Sequence, residues 1–215
     1  NVLPLRVGLD VATIDGVMGV VEILSRRREY TKLNPCVVLL GKGDHEITSS
    51  WTNVYGGVNA TTLGVTRSNI TFVGTGKDTT TILGGFGIAN LENITFKQMT
   101  VTNTSHNGSG IHMCTAKAEL VDVALKGCCD EGLYIHDLSE ATVVATRCEF
   151  ANSMYGAVVN GSLTSATFNN CVFRDNSNDG IQGSSECTIH FHGEATAIHS
   201  NEEDGINAYK SAKVL

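Results

Sequence analysis

The sequence predicts an all-β fold, a parallel β-helix of stacked coils with a short capping helix at its N-terminal end. Three observations predict it. A glycine followed by an apolar residue recurs at Gly87-Ile88, Gly110-Ile111, Gly132-Leu133, Gly156-Ala157, Gly180-Ile181 and Gly205-Ile206, at intervals of 22 to 25 residues. A second landmark, Met99, Val123, Cys148 and Cys171, keeps the same period. Around it the apolar residues fall two apart, the period of a strand with one side buried, and the long i, i+3, i+4 stripes of helical repeats are absent. A coil of this length cannot cover its own apolar side, whereas coils stacked about 4.8 Å apart bury a continuous core.

Residues 1–30 are predicted as the cap and 31–215 as the β-helix, one domain in all, with regular coils from about residue 87. Val11, Ile14, Val17, Met18, Val21 and Leu24 form a helical stripe, weakened by Gly16 and Gly19. A solenoid end exposes strand edges and core, so a terminal cap is required, and this stripe suits it. Residues 36–47 read as strand, glycine turn and strand, and residues 69–83 repeat the pattern. Gly74-Thr75-Gly76-Lys77 is not a phosphate loop: that motif needs four residues between its glycines and Ser or Thr after the lysine, and here Asp78 follows. The first regular coil offers Ile94, Phe96, Met99 and Val101. Ala118, Leu120, Val123 and Leu125 follow, then Val143, Ala145, Cys148 and Phe150, then Ala166, Phe168, Cys171 and Phe173. The step of three inside each set is read as a bend. Asn152, Asn176 and Asn201, each four residues before its coil's glycine, are read as an asparagine ladder bonding from coil to coil.

Composition bounds the function. With 215 residues, 41% hydrophobic and 17% charged, the chain builds one sizeable core and is neither a coiled coil nor a charge-rich tail. Its 23 glycines against 2 prolines point to many tight turns. A formal charge of −7 argues against nucleic acid as a partner. No apolar stretch approaches the roughly 20 residues of a membrane span, so no membrane partner is expected. Seven cysteines cannot all pair within the chain, no CxxC…CxxC spacing marks a zinc site, and Cys128-Cys129 is read as turn packing. Sequons at Asn59, Asn69, Asn93, Asn103 and Asn160 would suit secretion, while the odd cysteine count favours reduced thiols and an intracellular setting.

The segment Ile70-Thr71-Phe72-Val73-Gly74-Thr75-Gly76-Lys77-Asp78-Thr79-Thr80-Thr81-Ile82, the strand–Gly-Lys-Gly–strand before it and the glycine-anchored coils after it resemble proteins of the pectin-lyase-like superfamily. Repeats of the carbohydrate-binding and sugar-hydrolase type have the same look. The resemblance covers roughly residues 10–215 and implies a single-stranded right-handed parallel β-helix. It also implies that long carbohydrate chains lie along an outward sheet. It implies no one reaction, because these patterns record coil geometry and one fold hosts many activities.

Alternation after each glycine assigns the faces. Ile111/Met113, Leu133/Ile135, Ala157/Val159, Ile181/Gly183 and Ile206/Ala208 should point inward. His112/Cys114, Tyr134/His136, Val158/Asn160, Gln182/Ser184 and Asn207/Tyr209 should form two outward columns. Three readings follow. As a binding module, the chain holds a polysaccharide or a protein segment with His112, Tyr134, His136, Asn160, Gln182, Asn207 and Tyr209, rings stacking and amides bonding hydroxyls. As a polysaccharide-active enzyme (a uronate epimerase, a lyase or a hydrolase), it uses His136 as base and Tyr134 as acid, with Asp137 and His112 beside them. As a structural element it is a rigid spacer. Against catalysis, a uronate carboxylate must be neutralised, and none of Lys97, Lys117, Lys126, Arg147 and Arg174 falls in the outward columns. No cofactor is expected beyond a calcium ion that Asp179 and Asp204 could hold with Glu131 farther along.

Overall fold

The computed structural model describes residues 13–136 and 140–215, and in it the chain winds as a parallel β-helix. Two successive coils show the plan. One runs Ala141–Thr146, Glu149–Ala151 and Tyr155–Asn160; the next runs Thr164–Asn169, Val172–Arg174 and Ile181–Ser184. The third strand of each coil joins a seven-stranded front sheet, ordered Thr62–Val65, Gly85–Ala89, Ile111–Cys114, Glu131–His136, Tyr155–Asn160, Ile181–Ser184 and Ile206–Ala208. The first two strands of each coil build the other two faces. In Ile94–Thr102 and Lys117–Lys126 these two are one long strand that crosses the corner between faces.

The inward columns stack as their spacing predicts. Ile94 stands opposite Ala118, Phe96 opposite Leu120, Met99 opposite Val123 and Val101 opposite Leu125. Val143, Ala145 and Phe150 continue the files, followed by Ala166, Phe168 and Phe173. All of these are buried, and stacked ring pairs such as Phe72–Phe96 (5.2 Å) and Phe150–Phe173 (4.6 Å) thread the interior. The step of three has a backbone cause. Gln98, Asp122, Arg147 and Asn170, each just before its landmark, take φ of 56°, 54°, 54° and 52°. One left-handed residue turns the strand through the corner, so that the last inward residue before the bend and the first after it stand three apart instead of two. Arg147 also forks onto Asp122, joining two successive bend residues with bonds of 2.7 and 2.8 Å.

The glycine file is a line of tight approach of coil to coil. A Cβ on Gly110 would lie 2.7 Å from the Gly132 carbonyl oxygen, and one on Gly156 would lie 2.4 Å from that of Gly180. A Cβ on Gly132 or on Gly180 would meet the next glycine's oxygen at 2.7 Å. The file does not begin at Gly87. Phe86, not Ile88, stands opposite Ile111, so the first member is Gly85, and Gly87 falls in the outward column opposite His112.

The polar rung at the neighbouring corner also differs from expectation. Asn176 Nδ2 donates to Asn201 Oδ1 at 2.8 Å, the Ser153 backbone N–H donates to Asn176 Oδ1, and the Cys128 N–H donates to Ser153 Oγ. Ser153 holds the place assigned to Asn152. Asn152 itself is exposed and takes the left-handed turn (φ 52°), which aims its side chain away from the stack.

Helix α1 (Val17–Ser25), entered through a 3-10 turn at Ile14–Gly16, buries Ile14, Val17, Met18 and Val21 over the first coils. Val11 lies outside the described residues. The Asp15 carboxylate accepts the backbone N–H and hydroxyl of both Thr48 and Ser49, and Glu22 pairs with Arg67, so the cap is tied to the coils by polar bonds as well as by its apolar stripe.

Gly156→Ala should lower stability by about 1–3 kcal/mol, because backbone rather than a flexible side chain blocks the added methyl. Gly19→Ala, on the exposed side of the helix with nothing within 4 Å of its Cβ position, should raise it by roughly 0.5–1 kcal/mol. Thermal denaturation of the two variants checks both signs.

Candidate functional site on the front sheet

Inward residues of the front sheet, such as Leu133, Ile135 and Val159, are fully buried, which leaves the alternate residues to face out. Parallel register lines up Gly64, Gly87, His112, Tyr134, Val158, Gln182 and Asn207 in one outward column. Beside it run His136, Asn160 and Ser184.

The first part of this face is not open. A two-stranded antiparallel hairpin, Trp51–Thr52 with Val58–Asn59, lies over it. Its turn is set by Asn53, whose Oδ1 accepts the N–H of Tyr55 and of Gly57, each at 3.0 Å, and by Gly56 at φ 83°. Trp51 rests directly on the glycines of the outward column: a Cβ on Gly87 would fall 2.1 Å from its Cδ2, and one on Gly64 would fall 2.6 Å from its Cδ1. From there five rings form a chain. Trp51 meets His112 edge-on at 5.2 Å, His112 meets Tyr134 at 4.7 Å, Tyr134 stacks beside His136 at 5.8 Å, and Tyr55 from the hairpin tip closes on His136 at 5.2 Å.

This arrangement corrects the expectation for His112. It is 7% exposed beneath Trp51, and burial, then the nearby His136, drives its pKa from 6.5 down to about 4. His112 is therefore a neutral packing residue, not an accessible base. Tyr134 and His136 stay half-buried at the edge of the ring cluster. Burial, with the charge of Glu131 next, pushes the Tyr134 phenol up to about 12, which keeps its proton in place near neutrality. Asp137 lies outside the described residues.

The three carboxylates assigned to calcium do not converge. Asp179, 1% exposed, accepts the Asp204 backbone N–H at 3.1 Å on Oδ1. Its Oδ2 accepts the Asn207 amide at 3.1 Å and the Gln182 amide at 3.4 Å. Glu131 is buried two coils away and accepts the Ser109 hydroxyl at 2.7 Å. Burial lifts its pKa from 4.5 to about 7, against the lowering effect of that hydroxyl. Among the described residues no three His, Cys, Asp or Glu side chains are placed to share an ion. Asp179 instead fixes two amides. With their NH2 groups turned to the carboxylate, Gln182 and Asn207 are left with carbonyl oxygens as acceptors.

Farther along, Asn160 Oδ1 accepts the Ser184 hydroxyl, and Tyr209 is 40% exposed with the Lys210 ammonium 5.6 Å from its ring centre. The cations Lys77, Arg147 and Arg174 gather elsewhere, at a shallow cleft of about 400 Å³ along the corner of the other two faces. Both arginines there are already paired, with Asp122 and with Glu149 and Asp175.

Trp51 and Tyr55 escaped the periodicity reading because they belong to an insertion between coils. The signal was present in the chain's one tryptophan, followed by Asn53 and the Gly56-Gly57 pair.

No family model and no curated protein matches the chain. Among solved structures it is similar to the ORF18 protein of Geobacillus virus E2, at 11% identity and a TM-score of 0.41, over 83% of this chain and 54% of that one. A pectin methylesterase in complex with a hexasaccharide gives 13% identity and 0.42, over 86% and 63%. The A-module of a mannuronan C-5 epimerase from Azotobacter vinelandii gives 13% and 0.33, over 85% and 67%. The chain thus spans between half and two thirds of the first two proteins. The methylesterase and the epimerase are right-handed parallel β-helix proteins of the pectin-lyase-like fold. The likeness is one of coil architecture, and no residue's role carries across it.

Two opposed pH dependences follow. The His112 pKa is lowered on folding, so its contribution is complete above about pH 6.5 and is lost as pH falls towards 4. The Glu131 pKa is raised, so its contribution is complete below about pH 4.5 and is lost as pH rises towards 7. Melting temperatures between pH 4 and 8 should show His112→Gln gaining on the parent protein as pH falls, and Glu131→Gln gaining as pH rises.

Proposed function

We propose that this chain is a non-catalytic glycan-binding β-helix module whose ligand, an extended neutral polysaccharide, lies on the front sheet across Tyr134, Asn160, Gln182 and Asn207. The observation that carries the reading is the Asp179 carboxylate bonded to both the Gln182 and Asn207 amides. A buried charge is spent holding two part-exposed amides in one orientation, which presents acceptors at the spacing of successive coils to ligand hydroxyls. Rings at one end of the row and amides along it match a polymer that is apolar on its ring faces and polar at its edges.

Charge selects the polymer class. The front-sheet strands contain no Arg or Lys, Asp130 directly precedes the strand that Glu131 opens, Asp179 and Asp204 each precede theirs with a glycine between, and the chain carries −7 overall. A polyuronate would meet like charge without a counter-ion, whereas a neutral glycan would not. A protein segment fits this face less well. Extended peptides bind sheets through main-chain bonds at an edge, and here the main chain is used in the coil-to-coil ladders.

The enzyme reading keeps one supporting observation, the Glu131 carboxyl with a pKa near 7, close enough to Tyr134 for its charge to act on the phenol. Among the described residues of the front-sheet strands no Arg or Lys stands ready to stabilise the negative charge that develops in lyase or epimerase chemistry.

A screen of neutral polysaccharides (xylan, galactan, mannan and mixed-linkage glucan) against polygalacturonate and alginate should give binding to a neutral member only, with no new reducing ends, no unsaturated product and no proton exchange by NMR. Gln182→Ala and Asn207→Ala should each weaken that binding about tenfold, the worth of one hydrogen bond of roughly 1.4 kcal/mol. Turnover that His136→Ala abolishes would replace the binding reading with the enzymatic one. Binding confined to peptides would reject a glycan ligand.

A further inference from the structure

The 51–59 hairpin does more than cover apolar surface. Trp51 sits over the first two front strands and touches His112 on the third, while Tyr55 reaches His136 on the fourth. Two strand spacings separate the second strand from the fourth, roughly 10 Å, which an extended path from residue 51 to residue 55 can span. The hairpin therefore lies along the stacking direction, on the track that the proposed ligand would follow. Its tip stops at the fourth strand. Beyond it Asn160, Gln182 and Asn207 are part-exposed and Tyr209 is 40% exposed.

The seat of this hairpin is specific. Gly64 and Gly87 are the outward residues of the first two strands, neither has a left-handed φ, and at Gly87 all three of the nearest atoms to an added Cβ are Trp51 ring atoms. Their lack of a side chain is needed for the indole and not for the backbone. Tyr55, at the tip, keeps half of its surface exposed (51%) while its ring meets His136 edge-on.

Resting on the glycan-binding reading above, we infer that the hairpin closes one end of the binding face and makes the module selective for chain termini. The terminal sugar of a neutral polysaccharide abuts the wall formed by Tyr55, Tyr134 and His136, and the following sugars run over Asn160, Gln182 and Asn207. Trp51 is a positioning residue: it touches no ligand and holds the hairpin at the height that blocks the first three strands.

The test uses the neutral polysaccharide that binds best in the panel of xylan, galactan, mannan and mixed-linkage glucan, fractionated by length, with affinity measured by calorimetry and expressed per sugar unit. A terminus binder has one site per chain, so per-unit affinity should fall in proportion to chain length, about tenfold from decamers to hundred-unit chains. Tyr55→Ala, on an exposed tip, should weaken decamer binding about three- to tenfold, the worth of one ring contact. Gly87→Val, which displaces the indole, should abolish the length dependence by opening the track. A circular-dichroism melt confirms that both variants are folded, and if Gly87→Val is not, Trp51→Ala replaces it. Per-unit affinity that is independent of length in the parent protein would overturn the terminus assignment while leaving glycan binding intact. Absence of binding to every member of the panel would overturn both.

Discussion

The stacking of this molecule depends on the approach of one glycine to the next. At the corner entering the front sheet, the carbonyl of each glycine from Gly132 to Gly205 fills the space where its predecessor's Cβ would stand, at 2.4 to 2.7 Å. That contact fixes both the height and the rotation of each coil on the one before it. Because a β side chain alternates with period two, a slip of one residue would exchange the whole buried set for the outward set. The phenylalanine stacks, the left-handed bend residues and the amide rung all depend on this register being kept from coil to coil.

The front face draws its properties from the same register. Once Ile111, Leu133, Ala157 and Ile181 are buried, His112, Tyr134, Val158 and Gln182 must share a line on the other side. What the line then does is decided by what lies over it. Under Trp51 a histidine becomes a neutral core residue. Three and four coils past His112's own strand, with no indole above, the Gln182 and Asn207 amides stay part-exposed and a buried aspartate orients them. The cost of burying Asp179 is offset by three hydrogen-bond donors, the arrangement that keeps a carboxylate tolerable at 1% exposure. Glu131, with the Ser109 hydroxyl as its partner, follows the other course and is pushed towards its protonated form.

Much of the fold was legible because the core pattern repeats. Strand periodicity, the step of three and the inward files from Ile94 to Phe173 need no information beyond spacing, since each coil solves the same packing problem. The failures fall where a residue's role depends on a neighbour outside its own coil. Gly85 and Gly87 look equivalent in sequence, and only the register opposite Ile111 and the indole of Trp51 tell them apart. Asn152 and Ser153 are adjacent, and the left-handed turn decides which one meets the next coil. Of the candidate site residues, Tyr134, His136, Asn160, Gln182, Asn207 and Tyr209 stand on the outward face as expected. His112 is lost to an insertion that periodicity cannot see, and of the carboxylates read as calcium ligands Asp179 holds two amides and Glu131 a hydroxyl.

The pair Ile135 and His136 tests the inside–outside register most directly. Ile135 is fully buried and His136, the next residue, is on the outward face. Urea denaturation of Ile135→Asp and His136→Asp compares the two. The account predicts that Ile135→Asp abolishes cooperative folding, since an unpaired carboxylate would replace a core methyl cluster, and that His136→Asp shifts stability by no more than about 1 kcal/mol. Equal tolerance of aspartate at the two positions would contradict it.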